Sequence, residues 1–266
     1  RCANDANATE MSRHLYLSPH LDDVALSCGG RVARASREGI EVEILTVFAG
    51  DEPERPASLL VDRVFALWAL PRGAVMSSRR EEDRAAGSLL GATPIHWDEL
   101  EAIHRREPRT NEPLYPSLAR LFGPVAAVEA PLVERLAARL RSLPKAGLVV
   151  APLGVGGHAD HRLLRAAAEL AFGSDLAYYE EFPYVVWKLF ALRRARGSRR
   201  GWRSDSLPLD DSLKRVKRAA ILAYRSQIDP LFGNERRLDR LLARHAHAAG
   251  GERLWARRST GSSAAR

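Results

Sequence analysis

The chain has 266 residues, with 41 Lys and Arg against 33 Asp and Glu for a formal net charge of +8. A chain near this size buries about three quarters of the surface its unfolded form exposes, so it needs neither disulfides nor a structural metal to hold a core. Two cysteines, Cys2 and Cys28, exclude a disulfide framework; no apolar run spans a bilayer and no signal-peptide pattern opens the chain, so the expectation is a cytoplasmic protein without a transmembrane segment.

Residues 1–12 carry no core pattern and are expected to form a disordered tail, with Met11 a candidate natural start. The apolar run Leu15, Tyr16, Leu17 then leads into Ser18-Pro19-His20-Leu21-Asp22-Asp23, and residues 24–37 repeat Ala25, Cys28 and Val32 at helical spacing before Gly39. Residues 41–48 alternate and then run apolar, as a strand in a parallel sheet does, which completes a βαβ unit. Helices are predicted over 58–70 and 78–90 and a short strand over 94–97. From 98 to 123, Pro108, Pro113 and Pro116 break every period, which predicts a long excursion over the surface of the kind that often binds ligands.

Pro131 opens a helix carrying Leu132, Leu136, Leu140 and Leu143. Residues 147–151 read as a buried strand and 152–157 as a glycine-rich turn, after which His158-Ala159-Asp160-His161 opens another helix. One more strand is predicted over 176–179, and late helices over 211–224 and 235–246. Six arginines between 193 and 203 read as an exposed basic loop, either solvated or in contact with a phosphate-bearing or anionic lipid-linked substrate. The whole is an α/β chain read as one domain over 13–257, with 258–266 a disordered tail. The basic charge alone does not predict specific nucleic-acid binding.

The chemistry concentrates in two loops of one design: strand, loop with His and Asp, helix. Loops that leave the carboxyl ends of neighbouring parallel strands lie on one edge of the sheet, so the two are expected to meet despite their separation in the chain. A catalytic zinc takes three His, Asp or Glu ligands and keeps one position for water. His20 and Asp23 are three apart, as are His158 and His161, which places each pair on one face of a helix start. Asp22 points away from Asp23, so the spacing favours Asp23 as ligand and Asp22 as base. Either aspartate could instead be an ordinary helix N-cap. His14, His96, His104, His245 and His247 have no such partners and read as structural or solvent-facing.

These residues resemble the LmbE-like (PIG-L) de-N-acetylases, whose motifs are Pro/Ala-His-Pro-Asp-Asp-Glu and His-x-Asp-His. The likeness extends to Arg79, Glu82, Ala85, Ala86, Leu90 and Gly91, and to Lys217 through Ser226-Gln227. The resemblance implies a Rossmann-like three-layer sandwich with a mostly parallel sheet. It also implies Zn²⁺, with Fe²⁺ as an alternative, on His20, Asp23 and His161. Asp22 would be the general base, His158 would stabilise the oxyanion or protonate the leaving amine, Asp160 would orient a histidine, and Arg79 would bind substrate. The implied reaction removes an N-acetyl or other N-acyl group from an amino-sugar substrate such as an N-acetylglucosamine conjugate, lipid-linked or part of a natural product. The alternatives are an amidase acting on a sugar conjugate and a non-catalytic sugar-binding member of the fold. Leu21 and Val24 depart from the family motif, at positions that are neither ligand nor base.

Overall fold

The first apolar run, β1 (Arg13–Ser18), becomes an interior strand of a seven-stranded sheet. In the computed structural model, which describes residues 13–53, 58–71, 73–187 and 201–258, β1 pairs in parallel with β2 (Glu41–Thr46) on one side and β4 (Leu148–Pro152) on the other. Beyond β2 lies β3 (Thr93–His96) and beyond β4 lies β5 (Leu176–Tyr179), both parallel. Two antiparallel strands finish that edge: β7 (Glu252–Arg257) beside β5, then β6 (Trp202–Leu207). The order β3-β2-β1-β4-β5-β7-β6 reverses direction between β1 and β4.

Helices cover both faces. Alternation along β1 sends Leu15 and Leu17 into a cluster with Leu136 and Leu140 of α4 (Ala130–Arg141) and Leu163 and Leu164 of α5 (Ala159–Phe172). Tyr16 faces the other way. It joins Val24 and Cys28 of α1 (Asp23–Arg37), Leu90 of α3 (Val75–Leu90) and Ala220 of α6 (Asp211–Ala223). Each fully buried Leu contributes about 1.5–3 kcal/mol, so the two clusters hold the sheet between helical layers as a mixed α/β three-layer fold. Further helices are α2 (Leu59–Trp68), α7 (Arg225–Phe232) and α8 (Glu235–Ala249). Among the described residues no helix is long and apolar enough to cross a membrane, and Cys28 is a buried free thiol.

The predicted elements recur with shifted ends. The strand expected over 41–48 pairs with β1 only to Thr46, because the next two amides turn to the neighbouring loop: Val47 N donates to Ser18 O (2.9 Å) and Phe48 N to Pro19 O (3.0 Å). The stretch 98–123 does not simply run over the surface. Its start dips inward as a short 3-10 turn, Ala102–His104, with Glu101, Ala102 and Ile103 buried. The antiparallel pair β6–β7, whose strands are separated in the chain by α6, α7 and α8, and helix α7 itself are not legible in the sequence; β6 is a polar edge strand exposed along its middle. The expected tail 1–12, residues 259–266 of the expected C-terminal tail and the arginines of 193–200 lie outside the described residues, whereas Arg258, the first residue of that C-terminal tail, donates its amide to Gly201 O at 2.8 Å; Trp202 and Arg203, the end of the basic stretch, open β6.

Candidate active site

Because β1 and β4 are neighbours, the loops that leave their carboxyl ends stand side by side where the strand order reverses, the place an open parallel sheet offers to a ligand. The amides after β2 hold the first loop. Within it, Asp23 Oδ2 accepts from His20 N at 2.9 Å. The second loop is held by the carboxylate of Glu181, which accepts from Gly154 N and, at 3.0 Å, from Val155 N. Gly156 is required there: a Cβ would stand 2.6 Å from the ring of Tyr184, which lies against the loop and edge-on to His161.

The loops converge on Asp23 Oδ2. His20 Nδ1 stands 3.2 Å from it and His161 Nε2 3.3 Å. The far nitrogen of each imidazole meets a second carboxylate: His20 Nε2 lies 2.9 Å from Asp160 Oδ2, and His161 Nδ1 3.3 Å from Glu181 Oε1. Metal-ligating histidines carry this backing, which fixes tautomer and ring orientation. Donors bound to one tetrahedral zinc at its usual distances stand about 3.3–3.6 Å apart. His161 Nε2 is also buried without a hydrogen bond, so the donor set fits a divalent cation. His158 lies close as well, its ligand atom within 4.8 Å of those of His20 and His161. Its Nδ1, however, accepts from the amide of Asp160 at 3.2 Å, which leaves the proton of the neutral ring on Nε2.

Charge is arranged to match. Burial opposes a proton on His161, but Asp23 and Glu181 outweigh it and push the imidazole up to about 9. His20 is also raised, burial being overcome by Asp160 and Asp23. With these carboxylates around them, the two inner nitrogens mark a point that favours positive charge. His158 goes the other way: burial, then the neighbouring His20, hold it well below the ordinary imidazole value. The adjacent aspartates are pushed apart. Burial and the Asp23 carboxylate raise Asp22 to about 6, while Asp23, despite its burial, is held well below the carboxylate range by His161 and His20.

Asp160 is fully buried and compensated. It accepts from Ala102 N (2.9 Å) and Arg105 Nη1 (2.5 Å), which explains why the excursion after β3 turns inward: a buried carboxylate without partners would cost several kcal/mol. The histidine it touches is His20, with His158 Nδ1 farther off at 3.9 Å. The Arg79 side chain is buried. It is 3% exposed, donates to Glu101 Oε1 at 2.7 Å, lies under Trp68 and stands 3.9 Å from Asp22 Oδ1. The sequence reading missed Glu181, Arg105 and Glu101. A signal existed for Glu181, which lies two residues past the carboxyl end of β5.

A family model described as PIG-L, GlcNAc-PI de-N-acetylase, matches residues 15–172. The chain belongs to this family. It is 30% identical over 238 residues to the 2'-N-acetylparomamine deacetylase of Niallia circulans, across 83% of this chain and 82% of that one. Among solved structures, the zinc-inhibited form of teicoplanin deacetylase superposes with a TM-score of 0.79 at 30% identity, over 94% of this chain and 100% of the other. The A40926 pseudoaglycone deacetylase superposes at 0.68 and 28% identity, over 95% and 99%. As a PIG-L member the chain falls within a deacetylase enzyme family. Both His/Asp loops lie inside the matched span, whereas Glu181, α6 and β7 lie beyond it.

Proposed function

We propose that this PIG-L member hydrolyses an N-acyl group, acetyl in the first instance, from an amino sugar carried by a larger conjugate such as a glycosylated natural product. The observation that carries the reading is the convergence of His20 Nδ1, His161 Nε2 and Asp23 Oδ2, each imidazole backed by a carboxylate, with Asp22 beside them. The substrate class follows the names of the relatives, deacetylases of 2'-N-acetylparomamine and of teicoplanin. His20, Asp23 and His161 would hold a divalent metal, taken as zinc. When bound, such an ion polarises the acyl carbonyl and brings the pKa of a water down toward about 7.

Asp22, raised toward neutrality, takes the proton of the attacking water; a base works best with a pKa near the working pH. The neutral His158 donates its Nε2–H to the oxygen that gains charge as the carbonyl carbon becomes tetrahedral. The C–N bond then breaks, acetate departs, and the proton held by Asp22 passes to the leaving nitrogen. Asp160 keeps His20 in one orientation, and the Arg79 guanidinium, 3.9 Å from Asp22 Oδ1, holds Asp22 in place. This reading replaces direct sugar contact by Arg79 with a positioning role, because that guanidinium is enclosed.

Acetate release is the test, measured on 2'-N-acetylparomamine and on an N-acetylglucosamine conjugate. Release is expected to stop after chelation and to return on adding Zn²⁺ or Fe²⁺, with His161→Ala losing bound metal. The zinc form of one neighbour is described as inhibited, so the two ions are compared at stoichiometric loading. Release indifferent to chelator, or none from the metal-loaded protein on either substrate, overturns the reading.

A further inference from the structure

Helix α1, which begins at Asp23, is two helices in series. Cys28 (φ −138°, ψ 24°) leaves the helical region inside the Asp23–Arg37 span. A break strands carbonyls behind it and amides ahead of it, and Ser27, Gly29 and Gly30 are all buried. Glu252, at the start of β7, meets the amides: its carboxylate accepts from Gly30 N at 2.9 Å and Arg31 N at 2.7 Å. Lys217, from α6, donates to the same carboxylate at 2.7 Å and reaches the carbonyl of Ser27 at 3.5 Å. An anion thus caps the amino end of the second half-helix and a cation the carboxyl end of the first, the signs the helix dipoles favour. Gly30 permits the approach, since a Cβ there would stand 2.7 Å from Leu209 and 3.1 Å from Glu252 Oε1.

The same break ties to the other half of the site. Ser27 Oγ accepts from Phe182 N at 3.2 Å, and Phe182 follows Glu181, the carboxylate behind His161. We infer that the Lys217–Glu252 pair is a positioning device: it sets the first half-helix of α1, and with it Asp22 and Asp23, against the loop that carries His161. The pair is nearly closed to solvent, with side-chain exposures of 5% and 3%. Such pairs are weak sources of net stability because desolvation offsets attraction. Their worth lies in direction, and here all the directed bonds end on the break in the donor-bearing helix.

The inference rests on the metal-dependent reading above, and Co²⁺ binding separates the two. In Lys217→Met, Co²⁺ affinity measured against a competing chelator is expected to fall about 10-fold, the low end for residues that act through a ligand. The visible spectrum of bound Co²⁺ should change, and kcat should fall with KM nearly constant. Lys217→Arg should restore most of both, because a cavity of about 520 Å³ beside the pair leaves room for a guanidinium. Where Lys217→Met does not fold, the isosteric Glu252→Gln carries the same comparison. Unchanged Co²⁺ affinity and spectrum in a variant whose Tm alone has dropped overturns the inference, and wild-type protein that binds no Co²⁺ overturns the metal-dependent reading instead.

Discussion

At Asp22, burial and the Asp23 carboxylate press toward the neutral form while Arg79 and His20 pull toward the charged one. At Asp23 two imidazoles decide the balance for the anion. Environments that drive two carboxyls apart assign acid–base work to one and a fixed charge to the other. Asp22→Ala is therefore expected to keep its metal and lose about 10²- to 10⁴-fold in kcat, the usual worth of a general base; undiminished turnover in steady-state assays would remove Asp22 from that role. Glu181 lies against His161 Nδ1 and accepts from the Gly154 and Val155 amides. Glu181→Gln should lower metal affinity by about 10- to 100-fold in chelator competition, and an unchanged constant would show that the imidazole keeps its orientation without the charge.

Between elements, the carboxyl end of β5 joins the late part of the chain to the sheet. Glu180 accepts from Arg253 Nε at 2.7 Å and from Trp255 Nε1 at 2.6 Å, both on β7, and lies 3.5 Å from His245 Nε2 on α8. Burial works against its charge, but these partners prevail and hold the carboxyl below the ordinary glutamate value of 4.5. A carboxyl depressed in the fold contributes stability that is full above its unfolded value and lost as pH falls through the folded one. Wild type should thus exceed Glu180→Gln in denaturant stability at neutral pH, with the gap narrowing below about pH 4.5. A gap independent of pH would mean that the loss comes from packing. Ser226 shows a second tie of this kind: its amide and hydroxyl both donate to the carboxylate of Glu82 on α3.

Across the molecule, the site and the bulk of the core are separate. The cluster holding Leu136 and Leu164 lies under the sheet, and the donors stand at its carboxyl edge. Leu136→Ala should cost about 2–5 kcal/mol by urea unfolding while kcat and metal content of the folded fraction stay at wild-type values; a matching loss of metal would mean that the α4 layer also sets the donor geometry. Among the described residues, the charges nearest the donor nitrogens of His20 and His161 are the carboxylates of Asp23, Asp160 and Glu181.

What could be read from the chain was local. Strand, loop and helix repeat twice within short windows, and each window contains the residues that form it: the apolar run, the His and Asp at the turn, the amphipathic helix. His20, Asp22, Asp23, His158 and His161 were visible for that reason, and so was the parallel sheet, whose βαβ period is written in consecutive residues. The tertiary structure decided the rest because it depends on contacts between distant positions. Which nitrogen of His20 faces Asp23 follows from Asp160 occupying the other, 140 residues away. Arg105 turns inward because that carboxylate is buried, Arg79 is enclosed because Glu101 closes over it, and β6 joins the sheet through backbone pairing that its polar side chains do not announce. The break in α1 belongs to the same class: Gly29 and Gly30 are plain in the sequence, but only the fold brings Lys217 and Glu252 to the ends they cap.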